Sequence, residues 1–260
     1  MTPADETSAL LATALDAMIR RQYASTLHRF DYGAAAVSSE YQGIRQAIGR
    51  LADVDPGRMT KTGPACAFWL NAYTALVVEA VIERSIATSI REREDFFTVQ
   101  SYRIGGHNCS LDLIEHGILR GNARKYLGIG PLLARNDPRL AWRLRKPDPR
   151  IHFGLYTATF SSPAPVAFSP AHLDEQLDAA TRDYLNATVQ VVEEEGVIRL
   201  PALFRWYAGD FGRSLADALA FVGMHVTRPG LLAALESREY RATFAAYDWR
   251  LNDRYADIGE

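Results

Sequence analysis

The chain has 260 residues, of which 48% are hydrophobic and 23% are charged, a composition typical of globular domains. Its 29 basic and 31 acidic side chains give a formal net charge of −2, so no overall field attracts nucleic acid or an anionic membrane. Two cysteines, Cys66 and Cys109, are too few for a disulfide framework or a four-cysteine zinc site. Composition excludes these classes and indicates no particular reaction.

The N-terminal sequence lacks the features of a secretory signal, because Asp5 and Glu6 precede the first apolar run and Asp16 interrupts it. We therefore expect a cytoplasmic location. The longest apolar stretch, residues 65–82, carries Glu79, which would be costly at membrane depth. We interpret this stretch as a buried helix and expect neither a membrane nor a nucleic-acid partner.

The first half of the chain predicts helices around one hairpin. Apolar residues recur at helical spacing in residues 10–19 and 41–51, which predicts two amphipathic helices. After Gly63-Pro64, residues 66–84 are apolar on nearly every face, so this helix should lie in the centre of the fold. Then follow a strand (96–104), a turn at Gly105-Gly106, a return strand (107–109) and a helix that Ser110 caps.

The second half alternates irregularly between predicted strands and helices. In chain order these are a loop with a short helix (128–150, helix 139–144), a strand (151–157), a helix opened by Ser169-Pro170, a hairpin (189–192 and 197–200), three helices (201–211, 214–225 and 231–240) and a last strand (244–249). This order predicts an α+β fold, a helix-rich single domain with a small, mostly antiparallel sheet and a central buried helix. Residues 1–60 should form a helical extension packed on a core domain of residues 61–260.

Five local strings in this order resemble the family known as domain of unknown function 547. They are AFWLNAY (67–73), SLDLIEHGILR (110–120), DPRIHF (148–153), LDEQL (173–177) and YDW with LN (247–252). Their joint order and spacing carry the resemblance, since each string alone is weak. The resemblance implies a relative in fold and supplies no reaction.

The chain departs from that family pattern where the family carries a pair of cysteines. After His152 the resemblance implies Asn-Cys-Gly and Ser-Cys-Pro, whereas this chain has Thr157 and Ser162 at the two cysteine positions. A hydroxyl is a far poorer nucleophile than a thiolate without a dedicated base. Thiol chemistry or a disulfide at these two positions is therefore absent from this chain.

The candidate site centres on Glu115, His116 and His152. Because adjacent helical residues point about 100° apart, we expect that Glu115 and His116 cannot both face one small ligand squarely. His152 lies in the predicted strand, on the face opposite Ile151 and Phe153. The other candidate binding residues are Asn71, Arg120, Arg150, Thr157, Ser161 and Asp248.

The spacing of His107, Cys109 and His116 matches no familiar zinc pattern, so we predict neither a metal nor another cofactor. Two functions stay open. The first is a binding or scaffolding module with a polar pocket around Glu115, His116 and His152, which takes an unknown small molecule or peptide. The alternative is a papain-like or transglutaminase-like cysteine hydrolase or acyltransferase, in which Cys66 at a helix start is the nucleophile and His152 the base. The sequence leaves open the oligomeric state and whether the chain is an enzyme.

Overall fold

The computed structural model describes residues 3–99, 101–125 and 130–255. Its helices are α1 (Pro3–Gln22), α2 (Tyr32–Ala36), α3 (Ser39–Arg50), α4 (Thr62–Glu83), α5 (Leu173–Thr188), α6 (Leu203–Trp206), α7 (Leu215–His225) and α8 (Pro229–Ser237). Its strands are β1 (Tyr23–Ala24), β2 (Arg29–Phe30), β3 (Ser101–Ile104), β4 (His107–Ser110), β5 (Gln190–Val192), β6 (Val197–Leu200) and β7 (Arg241–Phe244). The predicted helix-rich α+β single domain is confirmed.

Helix α4 is the central element, as its apolar sequence predicts. Every residue from Ala65 to Val78 is buried, and α1 and α3 pack against this helix. By length and composition alone α4 could cross a membrane, yet 89% of its most apolar window is buried inside the protein. Burial on all sides explains why its sequence shows no polar face.

The strands form three small sheets among the described residues, and most of their pairs are antiparallel. In the β3–β4 hairpin Ile104 pairs with His107, and Gly105 and Gly106 adopt the left-handed conformation that this turn requires. The strand β3 is shorter than predicted, since residues 96–99 form turns, and residue 100 of the predicted strand lies outside the described residues. Strands β5 and β6 form the second predicted hairpin.

Strand β7 pairs in parallel with β6, with Ile198 opposite Ala242. It ends at Phe244, so the predicted strand over residues 244–249 is wrong in position. The predicted helix over residues 201–211 is interrupted, because α6 ends at Trp206 and a separate 3₁₀ turn covers Ala208–Asp210. The helix predicted from Ser169-Pro170 begins at Leu173, and the start of the predicted 128–150 loop lies outside the described residues.

The predicted strand over residues 151–157 is also wrong. Pro149–Phe153 forms a 3₁₀ helix, because the Asp148 side chain accepts a hydrogen bond from the Arg150 amide at 2.9 Å and caps it. Proline at the first helical position is compatible with this start. The local Asp-Pro signal therefore outweighs the apolar alternation that suggested a strand.

Two hydrophobic clusters fill the interior. The larger surrounds α4 and includes Ile151, while the smaller lies among α5, β6, α6 and α7 and includes Phe153. The 3₁₀ helix Pro149–Phe153 therefore passes from one cluster to the other, and His152 lies at the junction with only 2% of its surface exposed. The expected separation of His152 from Ile151 and Phe153 on opposite faces of a strand does not apply, because this segment is helical and all three side chains are buried.

Candidate functional site

Glu115 and His116 lie on a π-helix, Leu113–Leu119, that follows β4 directly. The Ser110 hydroxyl accepts a hydrogen bond from the Leu113 amide at 3.2 Å, as the predicted cap requires. The amide of Arg120 donates to the carbonyl of Glu115 at 2.8 Å, an i to i+5 bond that widens the turn by one residue. Glu115 and His116 both line one cleft.

Behind the cleft, Arg120 and His152 share one carboxylate, that of Asp210. Arg120 donates to Asp210 from Nε at 2.5 Å and from a terminal nitrogen at 2.9 Å, a bidentate ion pair. His152 Nε2 lies 2.8 Å from Asp210 Oδ2 and donates to it. Burial works against ionisation of Asp210, but these hydrogen bonds outweigh it and lower its pKa to about 2. The carboxylate therefore stays charged at neutral pH.

The ring of Tyr207 connects this ion pair to Glu115. It stacks on the His152 imidazole with centroids 4.1 Å apart, and the Arg120 guanidinium lies 4.7 Å from its centroid. Its hydroxyl donates to Glu115 Oε1 at 2.5 Å. Tyr207 thus fixes the position of the Glu115 carboxylate relative to Arg120 and His152.

The Glu115 side chain is buried, with 8% exposed, at the contact between the two hydrophobic clusters. Tyr73 of α4 reaches its Oε2 from the larger cluster at 3.5 Å, and Tyr207 reaches its Oε1 from the smaller. Burial raises the pKa of a carboxyl, but the hydrogen bond from Tyr207 and the positive charge of nearby Arg120 act against burial, and the pKa of Glu115 lies below its usual range. Glu115 is therefore an ionised carboxylate with hydroxyl partners.

His116 is held in one neutral tautomer. An Arg120 terminal nitrogen lies 2.9 Å from His116 Nδ1, and since arginine only donates, Nδ1 accepts and carries no proton. Burial lowers the pKa of His116 against the opposing effect of Glu115 and Asp112, which agrees with a neutral ring. The imidazole proton is then on Nε2, 3.8 Å from Asp112 Oδ1.

Glu115 and His116 form the floor of a cleft of about 320 Å³. Lys125 also lines it and forms an ion pair with Asp112. The rest of the lining is mainly aromatic and comprises Tyr73, Phe97, Thr157, Leu203, Trp206, Tyr207, Tyr247 and Trp249. The ring centroids of Trp206, Tyr247 and Trp249 lie 4.4–5.5 Å apart. A pocket with aromatic walls and a few fixed polar groups has the general character of a ligand site.

Thr157 is the predicted site residue on the opposite wall. Its hydroxyl and that of Thr159 each lie 2.9 Å from the Tyr247 hydroxyl. The three hydroxyls satisfy one another, so Thr157 here orients Tyr247 and has no base beside it that would activate it. Among the described residues, the hydrogen-bond partners of the Thr157 hydroxyl are the hydroxyls of Thr159 and Tyr247.

Four predicted binding residues lie away from this cleft. The Asn71 side chain donates to the carbonyl of Phe168 and accepts from its amide, both at 2.8 Å. The other three residues also have partners within the protein. Arg150 forms ion pairs with Asp148, Asp174 and Asp178. Ser161 Oγ accepts a hydrogen bond from the Asp248 amide, and the Asp248 carboxylate pairs with Arg250. The bonds of Asn71, the bond of Ser161 to Asp248 and the pairs of Arg150 with Asp174 and Asp178 join separate segments, whereas the pairs Arg150–Asp148 and Asp248–Arg250 are local.

Cys66 is the fifth residue of α4, beyond the first turn whose amides are free. Burial raises the pKa of its thiol to about 12, so the thiolate is scarce at neutral pH. Among the described residues no hydrogen bond joins Cys66 to His152, whose ring is engaged by Asp210 and Tyr207. The cysteine hydrolase stays a hypothesis without geometric support.

Several residues of the cleft region were missing from the sequence prediction, above all Asp210, Tyr207 and Trp206. They lie in the stretch RWYAGD (205–210), which was interpreted as part of a continuous helix. Two adjacent aromatic residues and an acid beside Gly209 were the available signal, because glycine weakens a helix at that point. In the described part of the chain, no group of three or more His, Cys, Asp and Glu side chains is arranged to hold a metal ion.

Comparison with known proteins gives one match. Residues 58–185, about half of the chain, match a family described as protein of unknown function, DUF547. This confirms the resemblance inferred from the motifs; the string at residues 247–252 lies beyond the matched stretch. No curated protein and no solved structure matches the chain. The family description names no activity.

Proposed function

We propose that this protein is a binding module whose ligand enters the cleft above Glu115. Its residues 58–185 resemble the DUF547 family, whose description names no activity. The ligand is a small molecule or a short peptide side chain. The observation that carries this proposal is an ionised carboxylate buried at the floor of an aromatic cleft. Ligand sites combine apolar walls with a few fixed polar groups in this way.

The contacts behind the floor support the proposal, because a binding carboxylate needs to be held in place before the ligand arrives. Arg120, Asp210 and His152 form one network of ion pairs and hydrogen bonds, and Tyr207 links it to Glu115. Each of these side chains comes from a segment that is fixed by its own cap or core contact. The floor is therefore preorganised, which reduces the entropy lost on binding.

Thr157 favours binding over catalysis at this site. It stands where the family resemblance places a cysteine, and its hydroxyl is bound to that of Tyr247. A pocket that keeps its walls after replacement of a thiol by a hydroxyl fits a degenerate active site that still binds. In the part of the chain that the structure describes, no hydrogen bond of Cys66 favours the hydrolase alternative.

A small-molecule screen tests the proposal. We expect ligands detected by saturation-transfer NMR to raise the Tm of the wild-type protein, since a ligand that binds only the folded state stabilises it. The variant Trp206→Ala removes part of the cleft wall and should lose both effects. Tyr255→Ala, at an exposed aromatic residue outside the cleft, is the matched control and should behave as wild type. Ligands that bind Trp206→Ala as well as wild type would refute the cleft as the binding site.

A further inference from the structure

The charges around the cleft leave one carboxylate without a cationic partner. Asp112 is paired with Lys125, and Asp210 is paired with Arg120 and hydrogen-bonded by His152. Glu115 has two tyrosine hydroxyls as partners, and in the described part of the chain no lysine or arginine nitrogen lies within 4.0 Å of its oxygens.

The nitrogen closest to Glu115 does not supply the missing charge. His116 Nδ1 lies 3.7 Å from Glu115 Oε1, but Arg120 donates a hydrogen bond to that same nitrogen. An imidazole that accepts at Nδ1 and carries its proton at Nε2 is neutral. Glu115 therefore has no cationic side chain in direct contact among the described residues, since Arg120 and Lys125 are each paired with another carboxylate, and a ligand cation would supply that contact.

The walls determine which kind of cation fits. Trp206, Tyr247 and Trp249 form one contiguous aromatic group at the cleft, with ring centroids 4.4 Å, 4.9 Å and 5.5 Å apart. Aromatic rings attract ammonium groups and offer no ligand atoms to a hard metal ion. The described residues also contain no set of three acidic, histidine or cysteine side chains suited to a metal.

The chain itself places an ammonium group in this cleft. The Lys125 side chain lines the cleft and its Nζ contacts Asp112. The site thus already accommodates one alkylammonium ion beside one of its two carboxylates, and the second carboxylate, Glu115, is also buried. A second ammonium ion would give Glu115 the direct cationic contact that Asp112 has with Lys125.

We propose that the ligand of this cleft carries an organic ammonium group, which binds against Glu115 and is enclosed by Trp206, Tyr247 and Trp249. This inference rests on the proposed binding function and names the chemistry of its ligand. The ligand class comprises small alkylamines and their methylated forms, as free molecules or as the end of a side chain. A neutral ligand such as a sugar would use the rings without requiring the charge of Glu115.

Two pairs of probes test the charge directly in the full-length protein. Choline and n-butylammonium are compared with their uncharged counterparts, 3,3-dimethylbutan-1-ol and 1-butanol, by tryptophan fluorescence and calorimetry. We expect each ammonium ion to bind at least about tenfold more tightly than its neutral counterpart. This comparison uses the wild-type protein alone, so it does not depend on whether a variant folds.

The variant Glu115→Gln keeps the size of the side chain and removes its charge. We expect it to reduce the preference for the ammonium ion to less than about twofold, while Trp206→Leu weakens binding of all four probes. Failure of both ammonium ions to bind wild type, or equal affinity for charged and neutral probes, would overturn the ammonium inference. The proposed binding function would survive such a result if other small molecules still bound in a Trp206-dependent way, and would fall if none did.

Discussion

Replacing Asp210 by asparagine removes one charge from the network behind the cleft and leaves the shape of the side chain nearly unchanged. The side chain of Asp210 is 19% exposed and that of its partner Arg120 is 4% exposed, so solvent screens this ion pair only weakly. The carboxylate also accepts the hydrogen bond from His152. Both partners therefore lose a charged acceptor in Asp210→Asn.

The expected cost follows from the ionisation of Asp210. Burial opposes its charge and the hydrogen bonds from His152 and Arg120 outweigh burial, so its pKa falls from 3.8 to about 2. Since one pKa unit corresponds to about 1.4 kcal/mol, the charge contributes about 2 kcal/mol to the free energy of unfolding at pH 7. Leaving a buried partner charge alone costs about 3–5 kcal/mol in comparable cases. Arg120 keeps its bonds to His116 and Arg124, so we expect a loss of about 2–4 kcal/mol.

Urea unfolding at several pH values measures this effect. Because the pKa of Asp210 is lower in the folded than in the unfolded state, its contribution is complete above about pH 5 and is lost as the pH falls through 2. The difference in unfolding free energy between wild type and Asp210→Asn should therefore shrink to roughly half by pH 3. Asp248→Asn is the control, since the pair of Asp248 with Arg250 is half-exposed and should contribute at most about 1 kcal/mol. Equal losses in the two variants, or a difference that does not depend on pH, would refute the reasoning.

Three further predictions concern the core. Gly117→Ala should lower the free energy of unfolding by about 1 kcal/mol, because the added methyl would lie 3.3 Å from the buried Leu133. Gly49→Ala, whose methyl meets no atom within 4 Å, should raise the free energy of unfolding by about 0.5–1 kcal/mol. Urea unfolding midpoints compare the two variants, and a destabilised Gly49→Ala would contradict the prediction. Glu79→Gln should raise the Tm at pH 7, because burial raises the pKa of Glu79 and one of its oxygens has no hydrogen-bond partner among the described residues. The gain should disappear toward pH 4, where the carboxyl of the wild type is protonated in both the folded and the unfolded state. A lower Tm of the variant at pH 7 would contradict this prediction. The Cys66 thiol should resist iodoacetamide in the native protein and react in urea, and rapid native labelling would revive the thiol hypothesis.

The elements that the sequence predicts well are those with strong local signals. Helix α4 follows from its uniform apolarity, and the two hairpins follow from glycine turns flanked by alternating residues. The 3₁₀ helix Pro149–Phe153 was misread because five residues with alternating apolar character fit a strand equally well. The residues that determine the 3₁₀ helix are local, namely the cap Asp148 and Pro149 at the first helical position. Such a short cap signal is weaker in the sequence than a hydrophobic pattern that also fits a strand.

The candidate site was predictable only in part, because its geometry depends on contacts between distant residues. Glu115, His116, Arg120 and His152 stand in motifs that the family resemblance singles out, and the structure brings these four side chains close together. What joins them is Asp210, which lies 90 residues after Arg120 and in no recognised motif. No periodicity or spacing indicates a partner at that separation.

The position of Glu115 explains why the cleft lies where it does. Two hydrophobic clusters meet at this point, and a meeting of two cores leaves space that neither fills with apolar side chains. Tyr73 from one cluster and Tyr207 from the other both direct hydroxyls at the carboxylate, so Glu115 remains charged although it is buried. The π-helix Leu113–Leu119 carries both Glu115 and His116. The carboxylate of Glu115 and the imidazole of His116 thus lie side by side at the cleft, next to the guanidinium of Arg120.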